Sequence, residues 1–453
     1  MELNYQENPM LTGKISGQLM RLFVPIFMGT LFQQLYNTVD TLIVGNYVGT
    51  QALAAVGATS AFVALLLGFF VGLCGGAGII IAQNYGAGEY HLVDRQVHTA
   101  LTLSLIGGGI LMVLGVVVSR PAMALMQTPA DVLDLAAVYL RIYFLGMIPQ
   151  MLYNTGTSIL HAVGDTRTPL YILILASLVN IVLDLLFVKV LPWGVKGAAL
   201  ATILSQLVSA VCIVICLKRA RQMPWQLEWK KLNLDPVILR KIFAIGLPTA
   251  AQSALYSVSN ILIQSSINSF GTVMVAAWSV YSKVDLIYWM TLNSMGMAIT
   301  TFAGQNFGAQ KYDRVKKGAS QCLAGTYVMT VVFCSFMYPA AEWLFRIFSK
   351  DEAVIMTGVE MMQLLVPAYV AYVAIEILSG TLRGCGDVKV PTLITVFVVC
   401  LLRLVWILAV VPIRHELSTV TFSYPLTWTL ASLLFILYYY RGGWLERCRR
   451  DTL

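Results

Sequence analysis

The hexapeptide Ala82-Gln83-Asn84-Tyr85-Gly86-Ala87 closes one long apolar stretch, and Gly304-Gln305-Asn306-Phe307-Gly308-Ala309 closes another, 222 residues later. The same offset joins Gly164-Asp165-Thr166-Arg167-Thr168-Pro169 to Gly386-Asp387-Val388-Lys389-Val390-Pro391. Two independent matches at one spacing, in a chain of 453 residues, mark a tandem duplication of a large unit. The fold follows from what fills the interval between the matches.

That interval is mostly apolar. The chain is 58% hydrophobic and 11% charged, with a mean hydropathy of +0.76. Soluble domains carry roughly 25% charged residues. A membrane-crossing helix needs about 20 mostly apolar residues. Twelve such stretches are predicted, near 18–46, 52–84, 96–119, 131–160, 168–191, 196–218, 237–268, 273–305, 317–340, 353–381, 390–412 and 420–440. Several exceed the needed length, which implies tilt or interruption. The first runs from about Leu19 to Val48, too long for a signal-peptide core, and is expected to be retained. The expected fold is therefore an all-α membrane protein with twelve transmembrane helices in two pseudo-symmetric six-helix bundles. The lobes are expected at 14–222 and 237–442, with a cytoplasmic linker at 223–236. Six spans per repeat leave both halves in the same orientation, with the pseudo-two-fold axis along the membrane normal.

The net charge of +8 has a membrane explanation. Lys and Arg concentrate in cytoplasmic loops of membrane proteins. With the N-terminus inside, twenty-one Lys and Arg fall on inside segments and six on outside segments. Both termini are thus expected in the cytoplasm, and no nucleic-acid partner is implied. The polar stretch Lys218–Lys241 carries Pro224 and Pro236 and reads as the linker; Trp225–Leu232 within it has an amphipathic pattern suited to a membrane surface. The eight cysteines form no CxxC pair, so reduced buried thiols are expected rather than a metal site. Gly13-Lys14-Ile15-Ser16 fails as a phosphate loop, because Lys is not followed directly by Ser or Thr. No HExxH or GxSxG motif is present. These absences argue against an enzyme or an ATP-driven pump, and no cofactor is expected beyond a coupling ion. A proton crossing 100 mV yields about 2.3 kcal/mol, which can drive transport.

Polar residues within the spans are not scattered. Gln33, Tyr36, Asn37 and Asp40 share one face of the first span. The fourth carries Gln150, Tyr153, Asn154, Thr157, Ser158 and His161; the fifth Ser177, Asn180 and Asp184; the sixth Thr202, Ser205, Gln206 and Ser209. Turning these faces together makes a hydrated pocket in the first lobe, with Asp40 and Asp184 as its only acids. Hydroxyls taken singly also serve as helix-to-helix glue. An acid at the bilayer centre costs about 2.5–3.5 kcal/mol on insertion scales and calls for a purpose. A carboxyl that gains and loses a proton suits proton coupling; carboxyl, amide and hydroxyl oxygens together also suit sodium. At the repeat offset Asn180 maps to Leu402 and Asp184 to Trp406, so the second half lacks this pair. The second half offers Tyr372 and Glu376 on one face of the tenth span, plus Lys283, Asp285 and Arg403, which pair among themselves as structural ions or line a second site. Pro25 permits a kink in the first span.

These features resemble the multidrug and toxic compound extrusion (MATE) family over essentially the whole chain. The resemblance rests on Pro25, the placement of Asp40, the Gln83-Asn84-Tyr85-Gly86 and Gln305-Asn306-Phe307-Gly308 ends, both Gly-Asp…Pro loops, and Asn180-x-x-x-Asp184. It implies two six-helix lobes in a V around a central cavity, and antiport of cationic amphiphilic compounds against protons or sodium. Within the family the chain is most similar to the DinF-type bacterial branch, which implies cation coupling by Asp40, Asn180 and Asp184, with Tyr36, Asn154 and Thr202 as neighbours; the polar faces add Gln33, Asn37, Gln206, Tyr372 and Glu376 as expected substrate or cation pocket residues. In the NorM-like branch a second-lobe site uses an acid in the seventh span and a Tyr with an acid in the tenth. Tyr372 and Glu376 match the latter, but the seventh span has no acid. The resemblance also implies a monomer in the plasma membrane. The alternative reading is a lipid or lipid-linked saccharide flippase of the same superfamily.

Overall fold

The computed structural model describes residues 8–452, which among themselves form helices and connections and no strand. In chain order the helices are α1 (Pro9–Thr12), α2 (Ile15–Tyr47), α3 (Thr50–Ala87), α4 (Tyr90–Leu125), α5 (Ala130–Leu145), α6 (Met147–Ala162), α7 (Arg167–Asp184), α8 (Gly194–Arg219), α9 (Pro236–Asn268), α10 (Thr272–Val284), α11 (Leu286–Gly308), α12 (Tyr312–Phe348), α13 (Glu352–Gly384), α14 (Lys389–Ile394), α15 (Leu402–Ala409), α16 (Leu417–Arg441) and α17 (Trp444–Thr452). Wider π turns continue α7 through Leu185–Val190 and join α14 to α15 through Thr395–Leu401.

Nine helical stretches among the described residues are long and apolar enough to cross a membrane. α5 and α6 together, bent by 52° at Gly146, make a tenth. The two remaining stretches, α9 and α10–α11, are equally long but richer in Ser, Gln and Asn. Their polarity separates the twelve expected spans from the ten that apolar character supports. It also has a use, since both stretches line a cavity described below.

The chain forms two compact units. One is Val24–Ala250; the other joins Met1–Phe23 to Ala251–Leu453. The divisions fall inside α2 and α9, one residue before Pro25 and two residues after Pro248. Each proline removes a backbone donor from its helix.

The duplication is visible in the backbone. Gly49 and Gly271 both have positive φ, at 107° and 91°, and Gly164 and Gly386 likewise, at 91° and 93°. Each pair is separated by the repeat offset, at turns where only glycine is unstrained. Asn84 Nδ2 donates to the Ile80 carbonyl at 3.0 Å, and Asn306 Nδ2 to the Phe302 carbonyl at 2.8 Å. The repeated Gln-Asn motif is thus a helix-end device.

In the Val24–Ala250 unit, one apolar core gathers Val44, Met123, Leu140, Phe144 and Ala199, near the 47–50 and 125–130 connections. A second gathers Ile81, Val97, Ile159, Ile213 and Ile242, near the 87–90 and 219–236 connections. α3 and α9 meet through glycines. A Cβ on Gly72 would stand 2.7 Å from Ala250 Cα, and one on Gly76 would stand 2.7 Å from the Gly246 nitrogen. The amphipathic stretch Trp225–Leu232 of the linker turns its apolar side chains to the bundle. It makes a single turn at Trp229–Lys231 and is pinned to the bundle. The Tyr85 and Trp225 rings meet at 5.5 Å, Leu227 is buried, and the Glu228 backbone N–H donates to His98 Nε2 at 3.0 Å. Asp235 caps α9, accepting from Val237 and Ile238, and pairs with Arg95. The Ile238 amide, with Arg95, holds the Asp235 carboxyl below the usual carboxylate range.

In the other unit, α13 is the central helix, and Tyr369, Trp428, Phe302, Phe345 and Phe435 fill its core. The N-terminal segment docks here. Asn8 donates to Gln305 Oε1 at 2.9 Å, and Arg314 reaches the Met10 and Gly13 carbonyls at 3.0 and 2.9 Å.

Leucine at Gly76 must push α3 off the α9 backbone, whereas leucine at neighbouring Gly75 meets open space. Overpacking of this kind costs about 1–3 kcal/mol. Thermal unfolding of detergent-purified Gly76→Leu should show a clear loss of stability, with Gly75→Leu close to wild type. Equal effects would contradict the close approach.

Candidate functional site

Each unit encloses a polar cavity. In the Val24–Ala250 unit the cavity holds about 380 Å³. Its wall comes from α2 (Gln33, Tyr36, Asn37, Asp40, Thr41), α3 (Ser60), α5 (Tyr139, Tyr143), α6 (Gln150, Tyr153), α7 (Ser177, Asn180) and α8 (Thr202, Ser205, Gln206, Ser209). These positions lie, along their helices, between the two apolar cores. No Lys, Arg or His is on this wall.

Asp40 and Asp184 face each other across α2 and α7. Asp184 is fully buried and Asn180, one turn earlier, is 1% exposed. The two carboxyls are in hydrogen-bonding reach of each other, and apart from that mutual contact both Asp184 oxygens, both ends of the Asn180 amide, Asp40 Oδ1 and Gln206 Oε1 have no partner. Buried polar atoms are nearly always paired, so a cluster of orphans signals a missing occupant. Two opposed carboxylates repel, and a proton or small cation between them removes the repulsion. The carboxyl and amide oxygens of this cluster also fit a hard cation. α7 reaches Asp184 and then widens into its π turn, with Leu191 N–H bonding the Leu186 carbonyl at 2.9 Å. Such turns re-aim side chains and recur at functional sites.

Gln33, Tyr36, Asn37, Asp40, Asn180, Thr202 and Gln206 therefore surround one space, with Asp184 directly behind it. Asn154 is not on the wall. Tyr139 and Tyr143 are, and were missed in the sequence because their helix carries no run of amides or acids. Their i, i+4 spacing in an apolar helix was the available signal.

The cavity of the other unit is larger, about 620 Å³. Tyr372 and Glu376 line it, as do Asp285, Arg383 and Arg403. α9 contributes Gln252, Tyr256, Asn260 and Gln264, four polar residues at successive i+4 steps that the sequence displays openly. The expected pairing among Lys283, Asp285 and Arg403 does not occur. Lys283 lies over the Phe348 ring at 5.7 Å. Asp285 Oδ2 accepts from Trp289 Nε1 at 2.7 Å and from the Tyr369 hydroxyl at 3.5 Å. Arg403 stacks on Tyr424. The one ion pair on this wall is Glu376 with Arg383, at 3.6 Å. The helix break at Asp285 is the reason: it turns Asp285 inward to the aromatic hydroxyls and away from Lys283. Gly296 makes room for Glu376, whose Oε1 would lie 2.2 Å from any Cβ there.

The MatE family model matches residues 25–186 and, a second time, 248–408. The chain is a member of the MATE family. Its two matches start at the two kink prolines, one in each repeat. The "Probable multidrug resistance protein YoeA" of Bacillus subtilis is 28% identical, over 97% of this chain and 98% of its own. The "Probable multidrug resistance protein NorM" of Thermotoga maritima is 27% identical, over 84% and 82%. A solved MOP-superfamily transporter from Pyrococcus furiosus superposes with a TM-score of 0.90 at 22% identity, covering 98% of this chain and 100% of its own. This MATE protein is thus a multi-pass membrane transporter with the family's helical fold.

Asn180 tests whether the orphan cluster is functional. Its amide makes no hydrogen bond, so Asn180→Leu removes no structural bond and deletes a desolvated polar group. Thermal unfolding should show stability unchanged or raised by about 1 kcal/mol, while transport falls. A destabilised Asn180→Leu would assign Asn180 to helix packing.

Proposed function

We propose that this MATE protein is a cation-coupled antiporter that exports cationic amphiphilic small molecules by alternating access, with protons rather than sodium as the coupling ion. Asp40 and Asp184 carry the proton, and the unbonded Asn180 amide beside Asp184 is open to the coupling ion; Gln33, Tyr36, Asn37, Thr202 and Gln206 form the surrounding pocket. Its place is the plasma membrane, as a monomer with both termini in the cytoplasm.

The observation that carries this reading is the opposed carboxyl pair, Asp184 buried and Asp40 half-buried, in contact with each other and in a cavity with no base among the described residues of its wall. With no fixed positive charge nearby, only a mobile cation balances the pair. A cationic substrate and a proton then compete for the same negative charge, and that competition is antiport: loading one requires releasing the other. Protons are favoured over sodium because the six orphan atoms do not converge with additional carboxylates. Among the described residues no group of three or more Asp, Glu, His or Cys is close enough to hold a metal ion. The names of the relatives, which refer to multidrug resistance, are consistent with a drug substrate. Charge bias supports the orientation, with Lys and Arg concentrated on one set of connections.

The test uses proteoliposomes loaded with a cationic dye such as ethidium. An imposed pH gradient should drive the dye against its own gradient, and an imposed sodium gradient should not. Asp40→Asn should reduce pH-driven transport by at least about tenfold, the factor that corresponds to about 1.4 kcal/mol. Sodium-driven uptake would change the ion; Asp40→Asn with full activity would remove this carboxyl from the mechanism.

A further inference from the structure

The larger cavity, in the unit containing α10 to α16, is unlike the first in its charge and lining. Arg403 is 2% exposed, yet it borders this cavity. Its guanidinium lies flat against Tyr424, 4.1 Å from the ring centre, with Trp428 at 6.0 Å. Nη2 donates to Thr427 Oγ1 at 2.8 Å. Nε has no partner. No Asp or Glu among the described residues is within ion-pairing reach of it. A buried guanidinium without a carboxylate is expensive, and proteins rarely keep one. The acids of the same wall are otherwise engaged: Glu376 with Arg383, and Asp285 with Trp289 and Tyr369. Among the described residues Arg403 is thus a cation of this wall without an ion partner, where the first cavity's wall has no cation at all.

The lining around that charge is aromatic. Trp289 and Trp428 meet edge to face at 5.7 Å, Tyr372 closes on both, and Trp278 tilts against Tyr424 at 5.8 Å. Faces and edges of this kind receive flat rings. The volume lies within the range of about 300–1,000 Å³ usual for small-molecule pockets. The π turn at Thr395–Leu401 ends one residue before α15 carries Arg403 inward.

We propose that this cavity is a binding site for planar aromatic anions, with Arg403 taking a carboxylate or phosphate ester and the Trp278–Trp289–Trp428 walls taking the ring. Arg403 is held by the Tyr424 stack and by Thr427, leaving the guanidinium's remaining hydrogen-bonding capacity to the ligand. A flat, anionic molecule completes the guanidinium's fork and fills the aromatic slot together. This goes beyond cation export through the first cavity and does not depend on it, because equilibrium binding needs no gradient.

The test is binding of three anthracene probes to the detergent-purified protein: the 9-carboxylate, the 9-methanol and the 9-methylammonium. They share a ring and differ in charge. Energy transfer from tryptophan reports occupancy, because three tryptophans line the cavity. In wild type the carboxylate should bind about tenfold more tightly than the alcohol, with the ammonium weakest. Arg403→Gln should erase the preference for carboxylate and leave the alcohol unchanged; Arg403→Lys, which keeps the charge, should retain part of it. Wild type that binds all three alike, or prefers the ammonium, overturns the proposal, whether or not Arg403→Gln can be purified. An unchanged preference in Arg403→Gln overturns it too. Failure of dye export in proteoliposomes, with this preference intact, would leave the anion site standing and remove only the exporter reading.

Discussion

Hydrocarbon offers backbone amides no water, so each must be bonded within its own segment. That constraint makes the chain helical and confines irregular backbone to places shielded from lipid. Every interruption in the spans of this protein fits it. The break at Asp285 and the π turn before Arg403 border one cavity. The π turn after Asp184 and the bend at Gly146 adjoin the other. Pro25 and Pro248 stand where the two compact units divide. The polar sites and the imperfect helices are therefore one phenomenon: a helix is broken where something other than lipid receives the freed groups.

Duplication then acted unequally on scaffold and interior. The turn glycines Gly49 and Gly271, the pair Gly164 and Gly386, and the helix-end amides of Asn84 and Asn306 keep their geometry across the offset. Inside, Asn180 and Asp184 correspond to Leu402 and Trp406. One unit keeps opposed carboxyls without a base. The other holds a guanidinium among indole and phenol rings. A shared scaffold thus carries two interiors of different chemistry, one with acids and no base on its wall, the other with both acids and arginines.

The polar stripes of α2, α7 and α8 were legible because their residues recur at helical spacing in segments otherwise apolar. The stripe Gln252, Tyr256, Asn260 and Gln264 obeys the same rule, though it carries no acid to mark it as a site. Lys283, Asp285 and Arg403 were misjudged for a different reason. Sequence proximity put Lys283 beside Asp285, but a helix break between them sends one side chain to Phe348 and the other to Trp289. The linker's alternating polarity looks the same in sequence whether the apolar side meets lipid or, as at Trp225, an aromatic ring of the bundle.

What the sequence by itself determined is the class of molecule: membrane helices in two repeats, and one lobe carrying acids with no base nearby. Hydropathy, periodicity and an offset between motifs are one-dimensional quantities, and a single chain displays them directly. What only the tertiary structure decided is which polar atoms lack partners. Asp184 and Asn180 are orphans because α2, α7 and α8 bring no donor to them. Arg403 is unpaired because Glu376 is taken by Arg383 and Asp285 by Trp289 and Tyr369. Partnership depends on distances between residues far apart in the chain, and those exist only once the helices have packed.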